Sequence, residues 1–211
     1  MSAGGPDGLL LVDKPRGVTS HDAVDAVRRA LGTRKVGHAG TLDPMASGLL
    51  AIGVGRATRL LRFLGDLPKT YEGTIRLGVE TDTLDADGRV VRESPVSADA
   101  DAVAAAMRAL VGRSMQRPPA YSAVKVGGTK LYEAARAGRR LDAPERPIRV
   151  DRFDLLALDG RDARFRVVCS GGTYVRVLAA DVGRALGAGA HLVALRRTAI
   201  GSLRVEDARP P

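Results

Sequence analysis

The sequence predicts an α+β domain, and three observations carry that expectation. Apolar runs of strand length outnumber helical ones along the chain. The turns between them are short, which favours antiparallel neighbours. No internal repeat, low-complexity tract or dividing linker interrupts the 211 residues, so 8–205 are expected to form one domain between short tails at 1–7 and 206–211.

Each element has a local reason. Gly8–Asp13 is an apolar run that stops at Lys14-Pro15, as a buried strand would. Thr19 or Ser20 can cap a helix over His21–Leu31, with Gly32 to close it. A glycine-bearing loop then leads into a strand over Gly48–Val54 and a short helix over Thr58–Leu64. In Tyr71–Val79 the residues Tyr71, Gly73, Ile75, Leu77 and Val79 alternate with polar ones, the period of a half-buried strand. Asp85–Gly88 makes a turn, and Ser97 is placed to cap an amphipathic helix over Ala98–Val111, stopped by Gly112.

Further on, Pro118-Pro119 mark Gln116–Tyr121 as loop, followed by a strand over Ser122–Val126 and a small helix over Leu131–Ala137. Ile148–Leu158 and Ala163–Cys169 flank Asp159-Gly160, a hairpin signal. Thr173 opens a helix reaching Leu186, and His191–Thr198 reads as the last strand.

Thirty-three basic residues against 24 acidic ones leave a net charge of +9. That balance favours a polyanionic partner, with nucleic acid first. Twenty-eight of the 33 are arginines in an alanine-rich chain, and the codon usage of a GC-rich genome accounts for the charge equally well. A lone cysteine, Cys169, excludes an internal disulfide, and with only three histidines it argues against a Cys/His zinc site; it reads as a small buried apolar residue. MSAGGPDG lacks the basic and apolar regions of a signal peptide, and no apolar run approaches the length of a spanning helix. A cytoplasmic protein without membrane contact is expected.

The most informative stretch is Gly37–Thr58, GHAGTLDPMASGLLAIGVGRAT. Glycines at 37, 40 and 48 permit close approach of backbone to a ligand, and Pro44 restricts Asp43 to extended conformations. One carboxylate is thereby held on a constrained loop, with His38 five residues upstream. Taken alone, the Asp-Pro step reads first as a tight turn whose Asp accepts backbone N–H bonds.

This stretch closely resembles the signature loop of the TruB family of tRNA pseudouridine synthases. Five further blocks resemble the family in its own order: LLLVDKPRGVTSHDAV (Leu9–Val24), KTYEGTIRLGVETDTLDADG (Lys69–Gly88), QRPPAYSAVKVGGTKLYEAARAG (Gln116–Gly138), CSGGTYVRVLAADVG (Cys169–Gly183) and HLVALRRTAIGSL (His191–Leu203). The resemblance implies the pseudouridine synthase fold, a curved, mixed and mainly antiparallel sheet flanked by helices, with a central active-site cleft. It implies conversion of uridine to pseudouridine at position 55 in the T loop of tRNA, with no cofactor and no metal.

By the same resemblance Asp43 is the catalytic carboxylate. Attack on C1′, addition to C6 and proton abstraction all require it ionised and against the nucleoside. Arg176 matches the arginine that salt-bridges this Asp in family members, and Tyr71 matches the tyrosine that stacks on the flipped base. His38 matches the histidine that helps hold the rearranged RNA loop. Lys14 matches a motif lysine near the active site, while Tyr174 and Leu195 match positions lining the uracil pocket. Without the family, Arg176 reads as a surface arginine, and Tyr71, Tyr174 and Leu195 as core. Lys125, Lys130 and Arg136–Arg140 fall in a segment that the resemblance makes a mobile thumb; a solvated charged face is the plainer reading.

Most bacterial relatives continue into a PUA-type domain, whereas about ten residues follow Gly201. The expectation is a catalytic domain alone, a monomer that grips the tRNA T-arm stem-loop and uses no guide RNA. A tRNA-binding chaperone, or a synthase acting on another RNA, are the alternatives.

Overall fold

The computed structural model describes residues 6–139 and 141–211. Arg140, the end of the basic Arg136–Arg140 stretch, and positions 1–5 of the N-terminal tail lie outside the described residues. Contacts between Cα atoms gather the chain into two compact units, Met1–Glu72 with Leu195–Pro211, and Gly73–Ala194.

In the first unit, β1 (Gly8–Lys14) ends where Pro15 lacks a backbone donor. Helix α1 (Ser20–Leu31) starts on a reciprocal cap: Thr19 Oγ1 accepts the Asp22 N–H at 3.1 Å and the Asp22 carboxylate accepts the Thr19 N–H at 2.8 Å. Thr19 is therefore the cap, and Gly32 closes the helix as expected. The next element departs from the sequence reading. Gly37 and His38 lie on a short strand, β2 (Val36–Ala39), and only the residues after it form a loop. Strand β3 (Ala46–Val54) pairs antiparallel with both β1 and β2, and those ladders recruit the short β2 segment into the sheet.

Both faces of β3 are covered. Leu50, Ile52 and Val54 pack with Val12 and with Ala23, Val24 and Val27 of α1, while Leu49 and Ala51 pack with Ile200 and Val205. A strand buried on both sides needs the near-continuous apolar run that this one has. The single helix expected over Thr58–Leu64 is a 3-10 turn, Gly55–Leu60, followed by α2 (Leu61–Asp66). Leu61 and Leu64 press onto the second face of β3.

Strand β4 (Lys69–Leu77) carries the chain into the second unit and stops two residues short of the expected end. At Gly78 the backbone turns to φ +78°, and a Cβ there would stand 2.5 Å from the Ser94 carbonyl oxygen. Val79 instead begins β5 (Val79–Thr81), which forms a separate hairpin with β6 (Val90–Glu93). Helix α3 (Ala100–Ala109) is capped by Asp99, whose carboxylate accepts the Ala102 N–H at 2.8 Å. It is shorter than expected because Asp99, two residues beyond Ser97, puts its negative charge at the helix N-terminus.

Strand β7 (Gly112–Gln116) was not expected; four of its five residues are exposed and it shows no alternation. Its strand character comes from an antiparallel ladder with residues 146–150. The expected Ser122–Val126 strand shrinks to a tight hairpin of β8 (Lys125–Val126) and β9 (Thr129–Lys130), followed by α4 (Leu131–Arg136). The long hairpin of β10 (Arg146–Asp159) and β11 (Asp162–Cys169) turns at Gly160-Arg161, one residue later than the signal suggested. Cys169 is fully buried. Helix α5 (Val175–Ala185) begins after Tyr174 rather than at Thr173 and has no side-chain cap. Strand β12 (Ala190–Ile200) returns the chain to the first unit, where β13 (Leu203–Arg204) folds back on it.

The first unit has strand order β1-β3-β12, with β2 on β3 and β13 on β12; the second has β4-β11-β10-β7. Strands β1–β3, β2–β3, β12–β13, β10–β11 and β7–β10 pair antiparallel, and β3–β12 pair parallel. The fold is therefore α+β with a mixed, mainly antiparallel sheet, as expected. In the second unit Phe153 and Phe165 meet edge to face at 5.4 Å, the favoured aromatic geometry.

Candidate active site

Asp43 sits in the loop between β2 and β3, partly buried, and the chain on either side of it is pinned. The Ser20 hydroxyl accepts the Leu42 N–H at 2.9 Å and donates to the Leu42 carbonyl at 3.1 Å. The Gly17 N–H donates to the Pro44 carbonyl at 2.8 Å, and the Ala46 N–H to the Asp43 carbonyl at 3.0 Å. Leu42 and Met45 are buried on the two sides of Asp43-Pro44. With Pro44 at the second position of this turn, these bonds hold the backbone on both sides of the Asp43 carboxylate.

Charged groups gather around that loop. Lys14, at the end of β1, is fully buried, and its ammonium donates to the Pro15 carbonyl at 2.9 Å and the Val18 carbonyl at 2.6 Å. Burial pushes the Lys14 ammonium below its ordinary pKa; the negative charge of Asp43 opposes that push, the Arg197 guanidinium adds to it, and Asp22 opposes it less. Lys14 and Asp43 are thus within electrostatic reach of each other. His38 on β2 is also held below its usual pKa, first by desolvation and then by His21 and Arg197. Its ring meets that of His21 edge-on at 5.7 Å, and its Nδ1 is buried without a hydrogen-bond partner among the described residues.

Leu195 pairs with Ala46 across the parallel β12–β3 ladder, at the exit of the Asp43 loop. Tyr71 is buried on β4. Two residues before it, the buried Lys69 ammonium donates to the carbonyls of Leu64 (3.1 Å), Gly65 and Leu67 (2.7 Å). That side chain occupies the unpaired carbonyls at the end of α2 and fixes where β4 begins.

Tyr174 and Arg176 belong to the second unit, at the start of α5. The Tyr174 N–H donates to Gln116 Oε1 at 2.8 Å and its carbonyl accepts from Gln116 Nε2 at 3.2 Å. The Tyr174 ring packs on the apolar cluster of Val124, Leu131 and Ala143. Arg176 is 5% exposed. Its guanidinium donates to the Tyr121 carbonyl at 3.0 Å, and lies 3.4 Å from both the Thr83 carbonyl and Asp85 Oδ2. Asp85 is itself buried and oriented: its other oxygen accepts from Thr83 Oγ1 at 2.6 Å and from the Asp87 N–H at 3.2 Å.

Lys14, His38, Asp43, Tyr71 and Leu195 therefore belong to the first unit, and Tyr174 and Arg176 to the second. Sequence reasoning missed four residues that organise these groups. Local pattern reads Ser20 as a cap, Asp85 as part of a turn and Gln116 as loop. Arg197 is one arginine among 28. A polar residue followed across the fold to a buried partner identifies each, and no short-range pattern does. Among the described residues no cluster of three or more His, Cys, Asp or Glu could hold a metal ion, and no helix is long and apolar enough to cross a membrane.

A family model described as TruB family pseudouridylate synthase (N terminal domain) matches residues 28–175, well over half of the chain. The chain belongs to the TruB family. A TruB-family relative from Aromatoleum aromaticum, named tRNA pseudouridine synthase B, is 50% identical over 202 residues, 96% of this chain and 66% of that protein. A chain in the crystal structure of a Cbf5-Nop10-Gar1 complex is 34% identical with TM-score 0.72, over 93% of this chain and 50% of its own length. A crystal structure of a pseudouridylate synthase, at 18% identity and TM-score 0.51, shares the fold alone, over 98% of this chain and 68% of that one. The chain thus spans about two thirds of the curated TruB relative and half of the solved Cbf5-complex chain. The family to which the chain belongs is described as pseudouridylate synthase, and the curated relative that carries that activity in its name is longer than this chain.

Proposed function

We propose that this chain converts uridine to pseudouridine in tRNA, at position 55 of the T loop, with Asp43 as the catalytic carboxylate. The observation that carries the reading is the pinned Asp43 loop: a partly buried carboxylate between two anchored hydrophobic residues, within electrostatic reach of the buried Lys14 ammonium. The name of the Aromatoleum relative supports tRNA as substrate.

In this reading the target uridine swings out of the T loop, at a cost of a few kcal/mol. Stacking on Tyr71 returns about 1–3 kcal/mol of that. The N1–C1′ bond breaks while Asp43 acts at the sugar or base, the uracil turns, and C5 bonds to C1′. The C5 proton leaves to solvent and N1 regains a proton, so atoms and charge balance without a cofactor or metal. Leu195 borders the uracil, and His38 holds the rearranged RNA loop. Lys125, Lys130 and Arg136 add phosphate contacts from the thumb segment. The protein works as a monomer in the cytoplasm on the T-arm stem-loop, with 8–205 as its catalytic domain and no guide RNA.

The test supplies unmodified tRNA carrying tritium at uridine C5. Wild type is expected to release the label, and Asp43→Asn to bind tRNA without releasing it; turnover by that variant at the wild-type rate would sink the proposal. Replacing the uridine at position 55 is expected to abolish release, and persistent release would move the target to another uridine. RNA affinity should fall steeply between 50 and 200 mM salt, as phosphate contacts require.

A further inference from the structure

Arg197 is buried to 1% exposure, and arginine is almost never fully buried unless its donors are taken up. Here Nε donates to the Leu49 carbonyl at 2.7 Å and Nη2 to the Gly40 carbonyl at 3.1 Å. Gly40 opens the loop that carries Asp43, and Leu49 lies in the strand that follows the loop. One planar, rigid fork thereby brackets the catalytic carboxylate from both sequence directions.

The main chain of Arg197 constrains the loop a second time. In the parallel ladder Leu195, Arg196 and Arg197 pair with Ala46, Ser47 and Gly48. A Cβ at Gly48 would run into the Arg197 carbonyl oxygen and lie 2.8 Å from its nitrogen. The exit of the Asp43 loop is thus pressed directly against this residue. Its charge also reaches the neighbours of the loop, since the Arg197 guanidinium contributes to the lowered pKa values of Lys14 and His38, behind the larger effect of burial in each.

We propose that Arg197 is a positioning residue for the isomerisation, clamping Gly40 and Leu49 so that the Asp43 loop keeps its reactive shape. The inference rests on the reading of Asp43 as the catalytic carboxylate. A lysine at 197 would keep the charge and much of the length, but its single nitrogen cannot reproduce the fork. A displacement of the carboxylate by about an ångström can cost on the order of 100-fold in rate.

The experiment compares wild type, Arg197→Lys, Arg197→Met and Asp43→Asn in single-turnover tritium release over a range of tRNA concentrations, normalised to the folded fraction from circular dichroism. For the folded Arg197→Lys protein the rate at saturating tRNA should fall about 10- to 100-fold, with the half-saturating concentration changed by less than about threefold. Arg197→Met should lose at least as much rate; if it does not fold, Arg197→Lys decides alone. A wild-type saturating rate for Arg197→Lys, or a loss confined to the half-saturating concentration, overturns the inference. Release by Asp43→Asn at the wild-type rate sinks the underlying assignment instead. An inactive Asp43→Asn beside a fully active Arg197→Lys sinks the role of Arg197 only.

Discussion

Ser20 and Leu42 exchange two hydrogen bonds, one in each direction, between the first turn of α1 and the residue preceding Asp43. A single hydroxyl serves both the N–H and the C=O of a buried residue, so the helix and the loop are tied together at this point. The Asp43 carboxylate, one residue on, is thereby tied to the capped helix.

Ser20→Ala should therefore leave a buried N–H and C=O unsatisfied, at a cost of about 1–3 kcal/mol. For a chain of this size that corresponds to a loss of about 2–4 °C in Tm per kcal/mol. Thermal unfolding measures it. Tritium release should decline more than tRNA binding does, because the anchor serves the loop rather than the RNA.

Asp85 stands beside the Arg176 guanidinium, at 3.4 Å, with both side chains almost wholly buried. Removing one partner of such a pair leaves the other charge buried, which costs about 3–5 kcal/mol in general. Asp85→Ala should fall near 3 kcal/mol, since the Thr83 and Tyr121 carbonyls still face the arginine. Denaturant unfolding with an unchanged m-value would show it, and equal stability to wild type would contradict the pairing.

Gly48 has φ +103° and no room for a side chain against the Arg197 backbone. Gly48→Ala is expected to destabilise by more than about 1 kcal/mol, through strain at the β3–β12 ladder. Ala at Gly65, where a Cβ meets nothing within 4 Å, is the matched control and should change Tm little.

The His38 pKa is depressed in the fold below the ordinary histidine value of 6.5, with burial as the first cause. Above that value both folded and unfolded states are neutral at this site, and it contributes no pH dependence. As pH falls through 6.5 the unfolded chain binds the proton first, so stability declines. Denaturation midpoints between pH 7.5 and 5 should drop accordingly, and His38→Asn should flatten that part of the profile.

Much of the fold was legible because its signals are local. Pro15 ends β1, a cap at Thr19 or Ser20 starts α1, with the structure choosing Thr19, and the apolar run before Val54 marks a strand that proves to be buried on both faces. The departures share a cause. Strands β2 and β7 have no periodicity of their own and exist because β3 and β10 offer them ladders. Gly78 breaks β4 because Ser94 and Val96, sixteen and eighteen residues away, leave no space there.

The sequence by itself determined the α+β class, the family, and the placing of one carboxylate on a proline-restricted loop, since motifs and turn chemistry are written within a few consecutive residues. Tertiary structure alone decided what holds that loop and what faces each buried charge: Ser20 against Leu42, Arg197 against Gly40, Asp85 against Arg176. Those partners lie 22, 157 and 91 residues apart. Only the sheet ladders and helix packing bring them within hydrogen-bonding distance, and burial then requires that each charge or polar group find a partner.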